Sequence, residues 1–125
     1  MFSWKGKKIA VLGGEGMIGK ELVYELKKLK ADVFSYDLKN GFDLSNYDTC
    51  YNICKDVDYV FSLVGVKGSP RMTKERPLDF MFPMLRCDVN IIKAAIDSAV
   101  EGFIYTSSIA VENKRTDKYP AHAKL

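Results

Sequence analysis

The sequence has little of the residue types that mark disulfide frameworks, metal centres or nucleic-acid binding. Its 125 residues include one histidine and three cysteines, and the net charge is only +3. An odd cysteine count without a secretory signal argues against a disulfide framework. The basic residues are scattered rather than clustered, which argues against a nucleic-acid partner. Since no apolar run is long enough for a signal or an anchor, we predict no membrane association and a cytoplasmic protein.

The cysteines and the histidine do not form a metal-binding pattern. Cys50 and Cys54 are four residues apart, which places them on one face of a helix, but no second pair of cysteine or histidine residues supplies the remaining ligands. We therefore predict no metal site and interpret the pair as small structural thiols. His122 could act as a catalytic base, a role for which histidine is suited, or it could simply be an exposed residue near the chain terminus.

What is present is an alternation of short apolar runs with amphipathic segments. Hydrophobic residues make up 47% of the chain and charged residues 28%, which is typical of a globular protein of one domain. Strands are predicted at residues 8–12, 33–36, 58–64 and 103–107, and helices at 17–29, 47–55 and 83–100. Residues 40–46 read as a turn, and residues 67–77 as a loop. The alternation predicts an α/β fold of the Rossmann type, a doubly wound parallel sheet formed by a single domain over residues 1–125.

A glycine-rich loop follows the first predicted strand. Gly13, Gly16 and Gly19 have the spacing G-x-x-G-x-x-G and lead directly into the first helix. In this setting the first glycine permits a tight turn, the second lets phosphates approach the backbone and the third lets helix and strand pack closely. The loop and the helix start, including Met17 and Ile18, are therefore predicted to bind the pyrophosphate of a dinucleotide. The alternative is a tight turn that binds no ligand.

Two acidic positions follow the second predicted strand. Asp37 ends that strand about twenty residues after the loop, where a carboxylate can accept both ribose hydroxyls of an adenosine. It would repel a 2′-phosphate, which favours NAD over NADP, although Lys39 offsets part of that repulsion. Asp43 and Leu44 are candidate neighbours of the adenine. Either aspartate can also be an ordinary turn residue.

The next two predicted strands also end in candidate site residues. Leu63, Val64, Gly65 and Lys67 follow the strand at 58–64, on the sheet edge where open α/β sheets bind ligands. Gly65 would let the backbone pass close to a cofactor, and Lys67 could reach a ribose or a phosphate, or be a surface lysine. The last strand ends in the hydroxyls of Thr106, Ser107 and Ser108. Such groups can bind a cofactor, a substrate alcohol or an oxyanion, or they can cap the next helix.

These motifs together resemble the extended short-chain dehydrogenase/reductase family, the NAD-dependent nucleotide-sugar epimerases and dehydratases. Residues 11–19, VLGGEGMIG, resemble the family's V-T-G-G-x-G-x-I-G opening, with Leu12 in place of threonine. Residues 64–67, VGVK, are similar to the A-G-L-K of UDP-galactose 4-epimerases. Residues 103–111, FIYTSSIAV, resemble F-I-F-S-S-S-A-T-V. The resemblance extends to Val111, with the motifs in the family's order.

The resemblance implies a mechanism and its residues. In the family a tyrosine, whose pKa is lowered by a nearby lysine, removes a proton from a sugar hydroxyl while hydride passes to NAD and a serine holds the hydroxyl. These roles would fall to Ser108, Tyr119 and Lys124. Here the tyrosine and the lysine are five residues apart rather than four, and Pro120 follows the tyrosine. Either this segment is a degenerate form of the family's helix, or the motif lies beyond Leu125. Met84 stands where the family usually has an asparagine.

Three functions remain open at this point. The chain is the NAD-binding portion of a nucleotide-sugar epimerase or dehydratase, or a non-catalytic NAD(P)-binding module, or a structural remnant that pairs with another chain. The family's C-terminal segment for the nucleotide sugar has no counterpart in these residues, so a fragment is one expectation. The resemblance also leaves open a homodimer formed through the helix at 83–100 and the one after Ser108.

Overall fold

The computed structural model describes residues 1–66 and 69–107. Within them, β1 (Lys8–Leu12), β2 (Asp32–Tyr36), β3 (Tyr59–Ser62) and β4 (Gly102–Tyr105) form one parallel sheet in the order β2-β1-β3-β4. The chain moves from β1 outward to β2 and then crosses back over β1 to β3. This reversal of direction confirms the predicted doubly wound fold and creates a topological switch point between the carboxyl ends of β1 and β3.

The helices are α1 (Met17–Lys28), α2 (Tyr47–Cys54), α3 (Pro70–Glu75) and α4 (Pro77–Asp97), with a 3-10 turn at Leu38–Asn40. The prediction of a loop over residues 67–77 was wrong, because Ser69 caps α3 by accepting the N–H of Met72 at 3.2 Å. The predicted start of the last helix at Pro83 was also wrong. Pro77 occupies the first turn, where its missing N–H costs nothing, and Pro83 lies inside the helix.

Two hydrophobic clusters enclose the sheet. On one face, Ala10, Leu12 and Val60 pack with residues of α2 and α4, including Ile53 and Ile91. On the other face, Ile9 and Val11 pack with Leu26 of α1. Since alternate strand residues point to opposite faces, the continuous apolar run of β1 is explained by burial on both sides.

The cysteine pair of α2 belongs to the first cluster. Cys50 and Cys54 are both about 1% exposed. Burial raises the pKa of the Cys50 thiol to about 12 and that of Cys54 to about 11. Both thiols therefore stay protonated near neutral pH and act as small core groups. Of the helices that the structure describes, none is long and apolar enough to cross a membrane.

Candidate dinucleotide site

The glycine loop makes a tight turn at the carboxyl end of β1. Gly13 has φ +79°, and its N–H donates to the carbonyl of Tyr36 on β2 at 2.7 Å. A Cβ atom at Gly13 would lie 2.9 Å from the carbonyl oxygen of Leu63, so both the conformation and the space require glycine. At Gly19 a Cβ would collide with the backbone of Gly13 and Gly14. The loop can therefore lie against β3 and the start of α1 only because these positions lack side chains.

Helix α1 begins with open backbone donors. Gly16 is its N-cap, and no side chain caps the helix. The Gly16 N–H donates to the Gly13 carbonyl at 3.1 Å, and the exposed residues Met17 and Ile18 form the first turn. The first N–H groups of a helix lack partners within the helix, and the helix dipole favours negative charge at this end. This end of α1 is suited to bind a phosphate.

A cleft of about 540 Å³ lies at the switch point. That volume is in the range of small-molecule sites. Its walls come from the carboxyl ends of three strands and from one side of α4. Eight of the predicted cofactor residues are involved: the structure brings together Gly13, Gly16, Asp37, Asp43, Leu44, Leu63, Val64 and Gly65 as lining residues. Met17, Ile18 and Gly19 are not lining residues; they form the start of α1, directly after the lining residue Gly16.

Asp37 stands at the end of β2 with its conformation fixed by a capping box. One carboxylate oxygen accepts the N–H of Lys39 at 3.1 Å, and the Asp37 N–H donates to the side chain of Asn40 at 2.7 Å. The Asn40 amide also donates to the carbonyl of Ser35 at 3.2 Å. The half-buried Asp37 also lines the cleft. A carboxylate held in this way is placed in advance to accept hydroxyl groups.

Asp43 and Leu44 line the cleft from the segment between the 3-10 turn and α2. The Asp43 carboxylate accepts the N–H of Ser45 at 2.9 Å. Hydrogen bonds from Ser45, helped by the positive charge of Arg86, hold the pKa of Asp43 below its usual value. Leu44 is only 6% exposed and joins the core, so it contributes an apolar wall. The Arg86 guanidinium donates to the carbonyl of Ser45 at 3.2 Å, which fastens the segment to α4.

The residues after β3 form the opposite wall. Leu63 donates its N–H to the carbonyl of Leu12 at 2.9 Å, which extends the pairing with β1 for one residue beyond β3. Val64, Gly65 and Val66 then continue along the cleft, and the α-carbon of Gly65 has open space where a side chain would be. The predicted contact Lys67 lies outside the described residues.

The hydroxyl residues after β4 stand apart from this cleft. The N–H and the side chain of Thr106 both donate to the carbonyl of Ser62, each at 3.2 Å, so the Thr106 hydroxyl ties β4 to β3. Ser107 is exposed. Neither residue is among those lining the cleft. Ser108, Tyr119 and Lys124, together with His122, lie outside the described residues.

Sequence reasoning missed the apolar part of the cleft. Phe42 contributes from the segment after the 3-10 turn, and Pro83, Met84 and Cys87 contribute from α4. The spacing of the last three could have revealed them, because residues three and four apart share a helix face. The predicted helix start at Pro83 hid this signal. A helix that began there would have presented its first turn to the cleft, whereas α4 presents one side of its length.

Comparisons with known proteins agree with this geometry. A family model described as the NAD dependent epimerase/dehydratase family matches residues 9–124. The GDP-mannose 3,5-epimerase 1 of Oryza sativa subsp. indica is 24% identical over 124 residues, and the match covers 86% of this chain and 33% of that protein. The chain thus spans about a third of the length of this curated relative.

Solved structures show the same fold. A UDP-N-acetylglucosamine 4-epimerase from Bacillus cereus matches with a TM-score of 0.71 at 20% identity, over 88% of this chain and 43% of that chain. A GDP-D-glycero-L-gluco-heptose synthase from Campylobacter jejuni, solved in the presence of NADPH, matches with a TM-score of 0.76 at 20% identity, over 94% of this chain and 35% of that chain. At this level of identity the likeness establishes the fold alone.

Proposed function

The chain belongs to the NAD dependent epimerase/dehydratase family, and from this premise we propose that its cleft binds a nicotinamide dinucleotide. The pyrophosphate lies on the N–H groups at the start of α1, beside Gly13 and Gly16. The adenosine ribose lies on Asp37, and the adenine lies beside Asp43 and Leu44. Leu63, Val64 and Gly65 contact the cofactor from the opposite wall. Lys67, and Thr106 and Ser107 from the end of β4 beyond the lining residues, are the remaining proposed cofactor contacts.

One observation carries this proposal: the uncapped start of α1 and the Asp37 carboxylate meet at a single cleft. A dinucleotide has an anionic pyrophosphate and a ribose diol a short distance apart, and these are the groups that the two ends of the cleft are suited to bind. A strand-to-helix turn with a purely structural role would not need both features at one opening.

The direct test is calorimetric titration of the chain with NAD. We expect saturable binding with a stoichiometry of one, and weaker binding of NADP because Asp37 repels the 2′-phosphate. Absence of heat and of any rise in melting temperature at millimolar NAD would overturn the proposal. Adenosine monophosphate serves as the control, since it carries the ribose and the adenine but lacks the pyrophosphate.

We further propose that the chain is the NAD-binding portion of a nucleotide-sugar epimerase or dehydratase, which transfers hydride to and from a sugar through the cofactor. The relatives named above support this substrate class. Ser108, Tyr119 and Lys124 are the proposed catalytic residues. The alternative of a non-catalytic NAD(P)-binding module is favoured by the five-residue spacing of Tyr119 and Lys124. Turnover of UDP- or GDP-sugars by the chain would exclude the module, whereas NAD binding without turnover would support it.

We also propose that α4 joins two copies of the chain. An unbroken apolar stripe runs along its solvent-facing side, and each residue of the stripe is at least 42% exposed: Leu78, Met81, Phe82, Leu85, Val89, Ile92 and Ile96. The stripe is about 27 Å long at 1.5 Å per residue. It contains no charged residue to oppose a like surface, so two such helices can pack against each other across a two-fold axis.

Sedimentation velocity tests the dimer. We expect the wild type to sediment as a dimer at micromolar concentration and Val89→Glu as a monomer, because each copy would bury an unpaired charge in the interface. Leu29→Glu is the matched control, since Leu29 is 53% exposed at the end of α1, on the other face of the sheet. A monomeric wild type, or a dimer that survives Val89→Glu, would contradict the proposal.

A further inference from the structure

The side chain of Glu15, in the glycine loop, is hydrogen-bonded to one side chain of β2. The hydroxyl of Ser35 donates to the Glu15 carboxylate at 3.0 Å. The loop lies directly on this serine, because a Cβ atom at Gly14 would collide with the Ser35 hydroxyl. Glu15 and Ser35 are both half-buried. The Glu15 carboxylate is therefore fixed against β2 instead of extending freely into solvent.

Asp37 presents its carboxylate on the same face of the sheet. Val33 packs with the α1 side of the sheet, and Tyr36 packs with the opposite side. Ser35 shares the face of Val33 by the two-residue alternation of a strand. Asp37 continues that alternation, since its φ of −150° and ψ of 156° are extended. The carboxylates of Glu15 and Asp37 thus stand on one face, at the end of one strand.

The turn after β2 holds this arrangement in place. Asn40 accepts the N–H of Asp37 and donates to the carbonyl of Ser35. Ser35 in turn donates to Glu15. A continuous set of hydrogen bonds thus joins the glycine loop to the capping box that fixes Asp37. Ser35 thus contacts the glycine loop through its hydroxyl and the capping box through its carbonyl.

We propose that Glu15 is a second residue that discriminates between the two nicotinamide cofactors, with Ser35 as its positioning residue. The inference rests on the proposed function, since it requires the adenosine ribose to lie on Asp37. Lys39 also lines the cleft, and its positive charge offsets part of the repulsion by Asp37, while Arg86 opposes the charge of Asp43, the other lining carboxylate. Glu15 lies between the lining residues Gly13 and Gly16 and adds a further negative charge beside the cleft. A 2′-phosphate is then repelled even though a lysine stands beside it, whereas the ribose hydroxyls of NAD are unaffected.

The test compares the ratio of NADP to NAD dissociation constants in the wild type and in three variants. Glu15→Gln keeps a group that can accept the Ser35 hydroxyl but removes the charge. We expect it to lower the ratio roughly fivefold, with NAD affinity nearly unchanged, as the loss of one screened charge near the 2′-phosphate would do. Ser35→Ala should shift the ratio in the same direction but less. Glu21→Gln is the matched control, since it makes the same charge change at an exposed position of α1.

Ionic strength gives a readout that a structural role would not affect. The preference of the wild type for NAD should fall as salt rises from 20 to 500 mM, which shortens the screening length from about 20 Å to about 4 Å, and that of Glu15→Gln should fall less. An unchanged ratio in Glu15→Gln, or an equal change in Glu21→Gln, overturns this inference while the proposed function stands. If the wild type binds neither cofactor, the proposed function and this inference are both wrong.

Discussion

The change Gly16→Val separates the binding role of the glycine loop from its structural role. Gly16 has φ −73° and ψ 173°, which any residue can adopt, and the nearest atom to an added Cβ is the carbonyl oxygen of Gly13 at 3.3 Å. Valine is a poor N-cap and slightly crowds that carbonyl, so we expect a loss of about 1–2 kcal/mol in the free energy of unfolding. For a domain of this size each kcal/mol lowers the melting temperature by roughly 4 °C.

The effect on binding should be much larger. Gly16 lines the cleft at the start of α1, so an isopropyl group there would fill the space where a phosphate meets the helix N–H groups. A hydrogen bond to a charged group contributes about 1.5–3 kcal/mol, and we expect at least one to be lost together with close contact. A loss of roughly 3 kcal/mol corresponds to a rise of more than a hundredfold in the dissociation constant for NAD.

Gly6→Ala is the matched control for stability. Gly6 has φ +74° with nothing within 4 Å of an added Cβ, and it precedes the amino end of β1, whereas the cleft lies at the carboxyl end. The left-handed conformation should cost alanine about 1 kcal/mol, close to the expected loss in Gly16→Val. Calorimetric titration should then find normal NAD binding in Gly6→Ala and none in Gly16→Val. Binding by Gly16→Val within threefold of the wild type would refute the placement of the pyrophosphate.

Three further changes test the fold and the cleft. Gly13→Ala combines a positive φ with a backbone contact of 2.9 Å, so it should lower the urea midpoint more than Gly6→Ala does; an equal midpoint would contradict the close approach to Leu63. Ile91→Ala removes a side chain that is 0% exposed, and we expect a loss of 2–5 kcal/mol by urea unfolding at an unchanged m-value. Burial raises the pKa of the Cys87 thiol, so its alkylation should still be accelerating at pH 9. Mass spectrometry should find Cys87 modified before the buried Cys54 and protected by NAD, because Cys87 lines the cleft.

The fold could be predicted from the sequence where the pattern is local. The apolar run of β1, the glycine turn and the leucine spacing of α1 each follow from a period or a turn that can be read along the chain. The helical stretch from Ser69 was missed because glycine, proline and charge indicate a loop by composition. Ser69 followed by Pro70 is nevertheless an N-cap with proline in the first turn, and this pair was the available signal.

The site could be predicted only in part for a different reason. Asp37 was placed correctly at the end of β2, but its capping box with Asn40 depends on side-chain geometry, although the three-residue spacing resembles such boxes. The hydrogen bond between Ser35 and Glu15 joins residues twenty positions apart, and no periodic pattern in the sequence predicts it. Cys87 reaches the cleft because of the way α4 packs on one face of the sheet, which the local sequence does not reveal.

The order of the strands in the sheet also determines when the sheet can form during synthesis of the chain. β1 lies between β2 and β3, so the earliest synthesised of the four strands in the described residues is one that two later strands need as a partner. Ile9 must find Tyr59 about fifty residues further along, and β3 must then wait for β4. Such distant parallel pairings are slow to form, because the entropy of closing a long loop is lost before the strand contacts stabilise the pair. Until β3 arrives, β1 has one side unpaired, and the nascent chain exposes its most apolar strand during that interval.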